Sequence, residues 1–544
     1  MPSLIEIVER VSRGDWVDAE KLEVYLESNN AAEKFLAHHA RAMLDLRQCH
    51  RHMLTAMEAM DYADQKVLSQ FIAVSGFLGL DEHRTAPMVK FGASAIGRRE
   101  ISLGLEAIQN GIALDLAAGG DFINSAADAE QVAMEYDRAA GMIDFRPAAQ
   151  SWNHKIPRVA YLASAIADDE PTARTVIGWA RHIDPKKVKL TVYSTEAGVR
   201  RDKQQFPQAS YVSSSRRRGS GTLEQLSAAK IDSWLAPTDV ETTAAAKQLA
   251  EKLIEDQADI VIFDTTPADA IAAMLAAWPV AAAKVNLCRR TPMLNRGIQQ
   301  VWFTDRQVQE THRYNLESRD VATHFVYEGI DASDIPAESA RRGQYGIPDQ
   351  AAVLATSGED LDAGISEAMV EAIITVLRDN PQAVWLLVGP GELSWQKRRF
   401  EAAGVAKRIG FVGKRRDATS FLRMADVYVA ESPRPTATGV LQAMAIEKPV
   451  AILAGEGRLH QAGEFVGEEN LIAGTRPMDL VRQINDLIRD RAFAATLGKT
   501  MGNRAGKLFG VCHTARKVEG LCGEMFKPAD VADIEGEDEV RKAA

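Results

Sequence analysis

From Arg158 onward the chain alternates short apolar runs with helix-length segments, and this alternation restricts the fold more than any other feature. Arg158-Val-Ala-Tyr-Leu-Ala-Ser164 reads as a buried strand. A helical pattern over residues 171–182 follows, and then a second strand, Val188-Lys-Leu-Thr-Val-Tyr193. Strand, helix and strand at this spacing form a βαβ unit, and the crossover makes the two strands parallel. The pattern continues with Ile260-Val-Ile-Phe263, a helix over 267–277, and Ala283-Lys-Val-Asn-Leu287. It then restarts after Tyr327-Glu-Gly-Ile-Asp331. The strands there are Ala351–Ala355, Val384-Trp-Leu-Leu-Val388, Ile409-Gly-Phe-Val412, Val427-Tyr-Val-Ala430 and Val450-Ala-Ile-Leu453, with helices over 365–378, 439–447, 478–489 and from 492 onward. The chain is therefore α/β, with two successive doubly wound units. Ligands of such sheets bind at the carboxyl ends of the strands.

Upstream of Pro157 the pattern is helical. Leu4, Ile7, Val8 and Val11, and then Leu22, Tyr25 and Leu26, recur at helix spacing. Residues 31–51 contain neither Pro nor Gly, and the periodicity of 101–116 stops near Gly119-Gly120. The expected organisation is an all-α domain over 1–150 for docking an acceptor, a partner subunit or a second copy. Rossmann-like domains over 155–330 and 331–500, a C-terminal helix over 501–527 and a charged, disordered tail over 528–544 complete it.

Composition excludes several classes. Lys plus Arg number 64 against 75 Asp plus Glu, a net charge of −11, which disfavours a nucleic-acid partner. Cys49, Cys288, Cys512 and Cys522 form no Cys-x-x-Cys pair, so neither a disulfide framework nor a structural zinc site is expected. No signal-peptide pattern opens the sequence, and no uncharged run reaches the ~18 apolar residues of a membrane span, so a cytoplasmic location is expected.

The residues with most chemical content lie in Ala425-Asp-Val-Tyr-Val-Ala-Glu-Ser-Pro-Arg-Pro-Thr-Ala-Thr-Gly-Val-Leu-Gln-Ala-Met-Ala-Ile-Glu-Lys-Pro-Val450. A strand enters a Thr-rich turn and then a helix, whose unpaired N–H groups and dipole suit a diphosphate. Thr436 and Thr438 offer hydroxyls, Gly439 permits close backbone approach, and Gln442 lies one turn further, within reach of a ribose. The plainer alternative is that one threonine caps the helix. Ser357, Gly389 and Gly391 end the neighbouring strands, where backbone could approach a nucleotide; Gly-Pro-Gly is equally an ordinary turn. Lys414, Arg415 and Arg434 are basic residues that could face the same cleft, although 414–416 also reads as a solvated basic loop. His460 follows the last strand and is a further site candidate, and the basic loop Ser213–Gly221 either covers an anionic ligand or is a solvated connection.

The same stretch resembles the nucleotide-sugar motif of GT-B glycosyltransferases, nearest in spacing to the O-GlcNAc transferase family and the bacterial cytoplasmic protein N-glucosyltransferases. Pro433, Thr438 and Pro449-Val450 fall at matching positions. Lys155–Ser164 resembles that family's opening strand, Asp169-Glu-Pro-Thr172 its Asn-His-Pro-Thr element, and Asp259–Asp264 with Arg289-Arg-Thr-Pro292 its middle strands. Asn380–Leu387 and Arg408–Phe411 resemble strands of its second domain. The resemblance implies two Rossmann-like domains facing a cleft behind a helical N-terminal domain. It also implies a UDP-sugar donor, a protein acceptor and no metal or other cofactor; Asp360-x-Asp362 is too sparse a carboxylate pair to argue otherwise.

Several positions depart from that pattern. Glu170 replaces the histidine before Pro-Thr, no lysine occurs in Gly358–Ala363 where the donor-phosphate lysine belongs, and Gln442 replaces the ribose carboxylate. Ala418 replaces a nucleotide-side histidine and Glu447 a glycine, and in the retaining Glu-x7-Glu pattern the two acids fall on Arg434 and Gln442. Glu170 is the first candidate for a general base, with Asp168 and Asp169 beside it, although an acid before Pro171 also suits a helix start. Arg415 is the candidate for leaving-group stabilisation. The expected activity is glycosyl transfer to a protein. The alternative is a catalytically inactive GT-B subunit serving an active transferase, and a lipid- or phosphate-linked acceptor finds no basic amphipathic helix to support it.

Overall fold

The computed structural model describes residues 20–26, 31–44, 51–52, 55–56, 85–117, 126–148, 154–168, 171–197, 220–358, 361–415, 417–432, 437–453, 461–467, 470 and 476–526. Glu170, Arg434, Thr436, His460, most of the 213–221 loop, the pattern at 4–11 and the tail beyond 527 lie outside the described residues.

Two all-parallel sheets form the α/β part. The first contains β1 (Arg158–Ala163), β2 (Lys189–Ser194), β3 (Ser233–Leu235), β4 (Ile260–Asp264), β5 (Ala283–Cys288), β6 (Gln300–Phe303) and β7 (Ala322–Phe325), in the order β3-β2-β1-β4-β5-β6-β7. The second contains β8 (Val353–Ser357), β9 (Val384–Val388), β10 (Ile409–Gly413), β11 (Val427–Val429) and β12 (Val450–Ala451), in the order β10-β9-β8-β11-β12. β4, β5 and β8 are buried at every position, which is why they read as unbroken apolar runs. β3, β6 and β7 were not anticipated. They are three or four residues long, and β3 and β7 carry the exposed Ser233 and Ala322 at the two edges of the sheet.

Local signals set the helix starts. Asp269 caps the Ala270–Ala277 helix and Ser366 caps the Glu367–Asp379 helix, so both begin later than the apolar pattern suggests.

The Thr85–Gly97, Ile101–Ala117 and Ala126–Met142 helices pack directly on the first sheet's layer, whereas Leu22, Ala37 and Ala40 of the Glu20–Leu26 and Ala31–Leu44 helices form a small cluster of their own. Val89, Ile96, Leu105, Ile108, Val132 and Tyr136 share one hydrophobic cluster with Leu249, Phe263 and Met274. Trp278 Nε1 donates to the Ala140 carbonyl at 3.2 Å, and Asn295 donates to Asp137 at 2.8 Å.

The C-terminal helices differ from expectation at residue 500. The Arg491–Leu508 helix runs unbroken through that position, and the break falls at 509–510. The next helix, Val511–Met525, returns to the first domain, where Val511, Ala515, Val518 and Leu521 cover the opposite face of its sheet. The chain thus crosses between the α/β units twice, near 326–331 and near 509–511. The two crossings pair through an Ile330–Gly510 bridge, and Gly329 (φ +75°) lies against the Val511 backbone, where a side chain has no room.

Candidate functional site

The second sheet changes winding direction between β8 and β11, so its ligand crevice lies outside the carboxyl ends of those two strands. The connections leaving the two tips are zipped together. Ser432 N–H donates to the Gly364 carbonyl at 3.0 Å, and Ser366 N–H donates to the Ser432 carbonyl at 2.9 Å. Small residues line the crevice. A methyl group at Gly389 (φ +151°) runs into the Gly358 carbonyl, so the strand tips close on bare backbone.

One side chain does enter. Glu431 is 2 % exposed, and its Oε1 lies against Gly358 and Gly364; a Cβ on Gly364 would sit 2.7 Å from it. Sequence inspection missed this acid, because a glutamate just after a strand looks like a surface residue. The only available signal was the pair of glycines at 358 and 364.

The helix that follows β11 spans Ala437–Ala445 and, by its parallel crossover to β12, opens at the same carboxyl edge. Thr438 and Gln442 are half-buried and Gly439 is buried in its first turns. Ser357 is turned inward, its Oγ 3.3 Å from the Tyr428 hydroxyl. Gly391 packs beside Asp362, whose carboxylate accepts from the N–H groups of Glu392 and Leu393 at 2.8 and 2.7 Å and thereby fixes the Gly-Pro-Gly turn.

Lys414 and Arg415 lie past β10, the edge strand, two strands from β8 and so about 10 Å from the crevice. Arg415 makes two hydrogen bonds to Asp417, at 2.8 and 3.1 Å, and its guanidinium lies 5.6 Å from the Phe421 ring centroid. The structure therefore brings Ser357, Gly389, Thr438, Gly439 and Gln442 to one edge and leaves Lys414 and Arg415 at its margin.

The carboxyl edge of the first sheet is built differently. Arg289, just past β5, holds Asp264 at the end of β4 through two 2.8 Å bonds, donates to Thr175 at 3.0 Å and is ion-paired with Glu328. Tyr161 donates to the same Asp264; burial first, and then that carboxylate's charge, push its phenol well above its ordinary pKa. Asp269 accepts from Thr195 at 2.6 Å, and burial raises its carboxyl above the ordinary range. Asp168 is committed to the start of the Ser220–Ala228 helix, accepting from the Thr222 N–H at 2.8 Å and its hydroxyl at 2.9 Å.

The two carboxyl edges face each other. Arg306, following β6, pairs with Glu464, following β12, at 3.0 Å, and Tyr327 of the first crossing donates to Glu464 at 2.6 Å. Among the described residues no group of three or more His, Cys, Asp or Glu is placed to hold a metal ion, and no helix is long and apolar enough to cross a membrane.

Two parallel, doubly wound sheets with facing carboxyl edges and a C-terminal helix returning to the first domain define the GT-B fold. Residues 364–490, which include the Ala437–Ala445 helix and Glu431, match the family described as Glycosyl transferases group 1. An O-GlcNAc transferase mutant from Thermobaculum terrenum superposes with a TM-score of 0.57 at 14% identity, over 97% of this chain and 98% of that one. HepE from Anabaena in complex with UDP gives 0.51 at 15% identity, over 68% and 100%. A glycosyltransferase from Rickettsia africae gives 0.52 at 13% identity, over 69% and 100%. None of the curated proteins matches the chain in sequence. The chain is thus a GT-B protein that resembles the O-GlcNAc transferases and diverges from them strongly in sequence.

Proposed function

We propose that the chain transfers a sugar from a nucleotide-sugar donor, a UDP-sugar, to a protein acceptor. The observation that carries this is the Ala437–Ala445 helix: it opens at the winding switch of the second sheet, inside the segment that matches group 1 glycosyl transferases. Thr438 and Gly439 would present a hydroxyl and backbone N–H groups to the diphosphate, with Gln442 toward the ribose. Fixed N–H dipoles stabilise a departing diphosphate most where negative charge accumulates, on the leaving oxygen. Arg415 would assist by leaving Asp417, with Lys414 beside it, and Arg434, Thr436 and His460 would complete the donor side. The first domain would carry the acceptor and the base, Glu170. No metal is required, because helix dipole and cations supply the charge. UDP in the HepE complex supports the choice of nucleotide, and the O-GlcNAc transferase likeness supports a protein acceptor.

Purified protein incubated with radiolabelled UDP-sugars tests the proposal: label transferred to protein or released as free sugar is expected, and neither hydrolysis nor binding of any nucleotide overturns it. A second reading, a non-catalytic GT-B subunit, is favoured by Glu431 in the crevice and by Arg415 held by Asp417. Co-purification of an active transferase whose output ignores Thr438→Ala supports that reading instead.

A further inference from the structure

The amino edge of the first sheet, opposite the edge that faces the cleft, carries an open groove of about 840 Å3. It is bounded by the starts of β1 and β2, the end of the Pro171–His182 helix and the turn at 229–232 before β3. Ile183, Val188, Leu190 and Ile231 form its apolar floor. Lys155, Arg158, Arg181, Lys189 and Lys230 stand around it with one acid, Asp232, in a chain whose net charge is −11. Arg158 is held by the Asp256 carbonyl at 3.1 Å, and Arg181 by Gln225 at 2.9 Å and Asp331 at 3.4 Å. Lys155, Lys189 and Lys230 are exposed and have no ion-pair partner among the described residues. Cations around an apolar floor fit an acidic segment with apolar residues set among its charges.

The sequence contains such a segment. Residues 530–539, Asp-Val-Ala-Asp-Ile-Glu-Gly-Glu-Asp-Glu, hold six acids and no Lys or Arg, with Val531 and Ile534 among them. The helix before it passes beside the groove: Glu519 accepts from the Asp184 N–H at 2.7 Å and pairs with Lys187 at 2.9 Å, between the groove's Ile183 and Val188. Met525 lies about 9 Å further along that helix, and Lys527, Pro528 and Ala529 span about the same distance when extended. We infer that the groove at the amino edge of the first sheet is the docking site of the chain's own acidic segment, residues 530–539. A tether this short gives an effective concentration in roughly the millimolar range, so a weak intrinsic affinity is enough to fill the groove.

The test is fluorescence anisotropy with a labelled peptide of residues 528–540 and three full-length proteins. These are the native chain, a neutralised chain (Asp530→Asn, Asp533→Asn, Glu535→Gln, Glu537→Gln, Asp538→Asn and Glu539→Gln), and the neutralised chain with Lys155→Gln and Lys230→Gly added. The native chain is expected to bind the peptide at least tenfold more weakly than the neutralised chain, because its own segment competes. The two groove substitutions are expected to remove at least tenfold of the neutralised chain's affinity. Lys230 has φ +59°, which glycine adopts without strain, so Lys230→Gly should leave the unfolding midpoint within a degree or two. Lys155→Gln alone, at an exposed position, should still cost at least threefold. Equal peptide binding by the native and neutralised chains overturns the inference and leaves an open groove for an acidic segment of another protein. Absence of binding by the neutralised chain overturns it too, as does binding that ignores Lys155 and Lys230. Each of these outcomes leaves the donor proposal standing, because the groove lies at the far edge of the first sheet from the cleft.

Discussion

Along the first sheet, the carboxyl edge is closed by acids that each have a side-chain partner: Asp264 and Glu328 with Arg289, Asp269 with Thr195, Asp168 with Thr222. Along the second, the corresponding edge is mostly glycine, short hydroxylated residues and one helix start, with the acids Glu431 and Asp362 beside the glycines. In the first arrangement each acid is already held by a partner, which makes that edge rigid. The second leaves backbone within reach of a ligand. Two sheets of the same winding thus differ at their carboxyl edges, one closed by paired side chains and the other built largely of backbone.

Arg289 is the severest way to break that contrast. Its removal strands Asp264, which is 3% exposed at its side chain, and frees Glu328 at the first crossing. Arg289→Ala is expected to cost about 3–5 kcal/mol of stability, because a buried carboxylate loses its partner. Urea unfolding measures it, and a loss below 1 kcal/mol would mean that the network does not close this edge. Arg289→Lys should recover only part of the loss, since an ammonium cannot reproduce the forked contact.

Lys284 probes the same sheet at smaller cost. Its Nζ is buried against the Ala276 and Trp278 carbonyls at 2.7 and 2.6 Å, and burial lowers its pKa to about 8. The unfolded chain then holds more protons than the folded one between about pH 8 and 10.5, so the folded state gains stability as pH rises through that window, by up to about 3 kcal/mol. Unfolding midpoints at pH 8 and pH 10 should move apart in the native protein relative to Lys284→Met. Parallel behaviour of the two proteins removes Lys284 as the cause.

Much of this architecture was legible because parallel strands buried on both faces leave continuous apolar runs, as at Ile260–Asp264 and Val384–Val388. Short strands such as Ser233–Leu235 leave too few residues for a pattern. A helix after the Thr-rich turn was legible for a local reason, the strand, turn and helix in sequence, although it runs over Ala437–Ala445, two residues earlier than the expected 439–447. Glu431 was not, because its burial is decided by glycines 73 and 67 residues earlier. The Asp264–Arg289 pair was hidden in the same way: both residues were visible, but only the sheet order makes their strands neighbours.

Thr438 tests the open edge directly. If its hydroxyl meets the donor, Thr438→Ala should weaken UDP-sugar binding about fivefold, the value of one hydrogen bond near 1 kcal/mol, with the unfolding midpoint little changed. An equal loss of stability would instead give the threonine a structural role in the first turn of the helix.

The smallest effect belongs to the contact that joins the two edges. Arg306 and Glu464 are 51% and 32% exposed at their side chains, and a pair so accessible is worth no more than about 1 kcal/mol. Yet the pair spans the cleft, and Arg306 also stacks 4.2 Å from the Phe325 ring centroid while Tyr327 shares Glu464. Arg306→Ala should therefore leave the unfolding midpoint within a degree or two and show itself in shape: a larger radius of gyration by X-ray scattering without ligand. The Tyr327, Phe465 and Phe509 rings, with Phe509 edge to face against both of the others, remain as the hinge and limit how far the domains can part. An unchanged radius would mean that the aromatic cluster alone sets the domain angle, and that the charged bridge merely decorates a cleft already held by apolar contact.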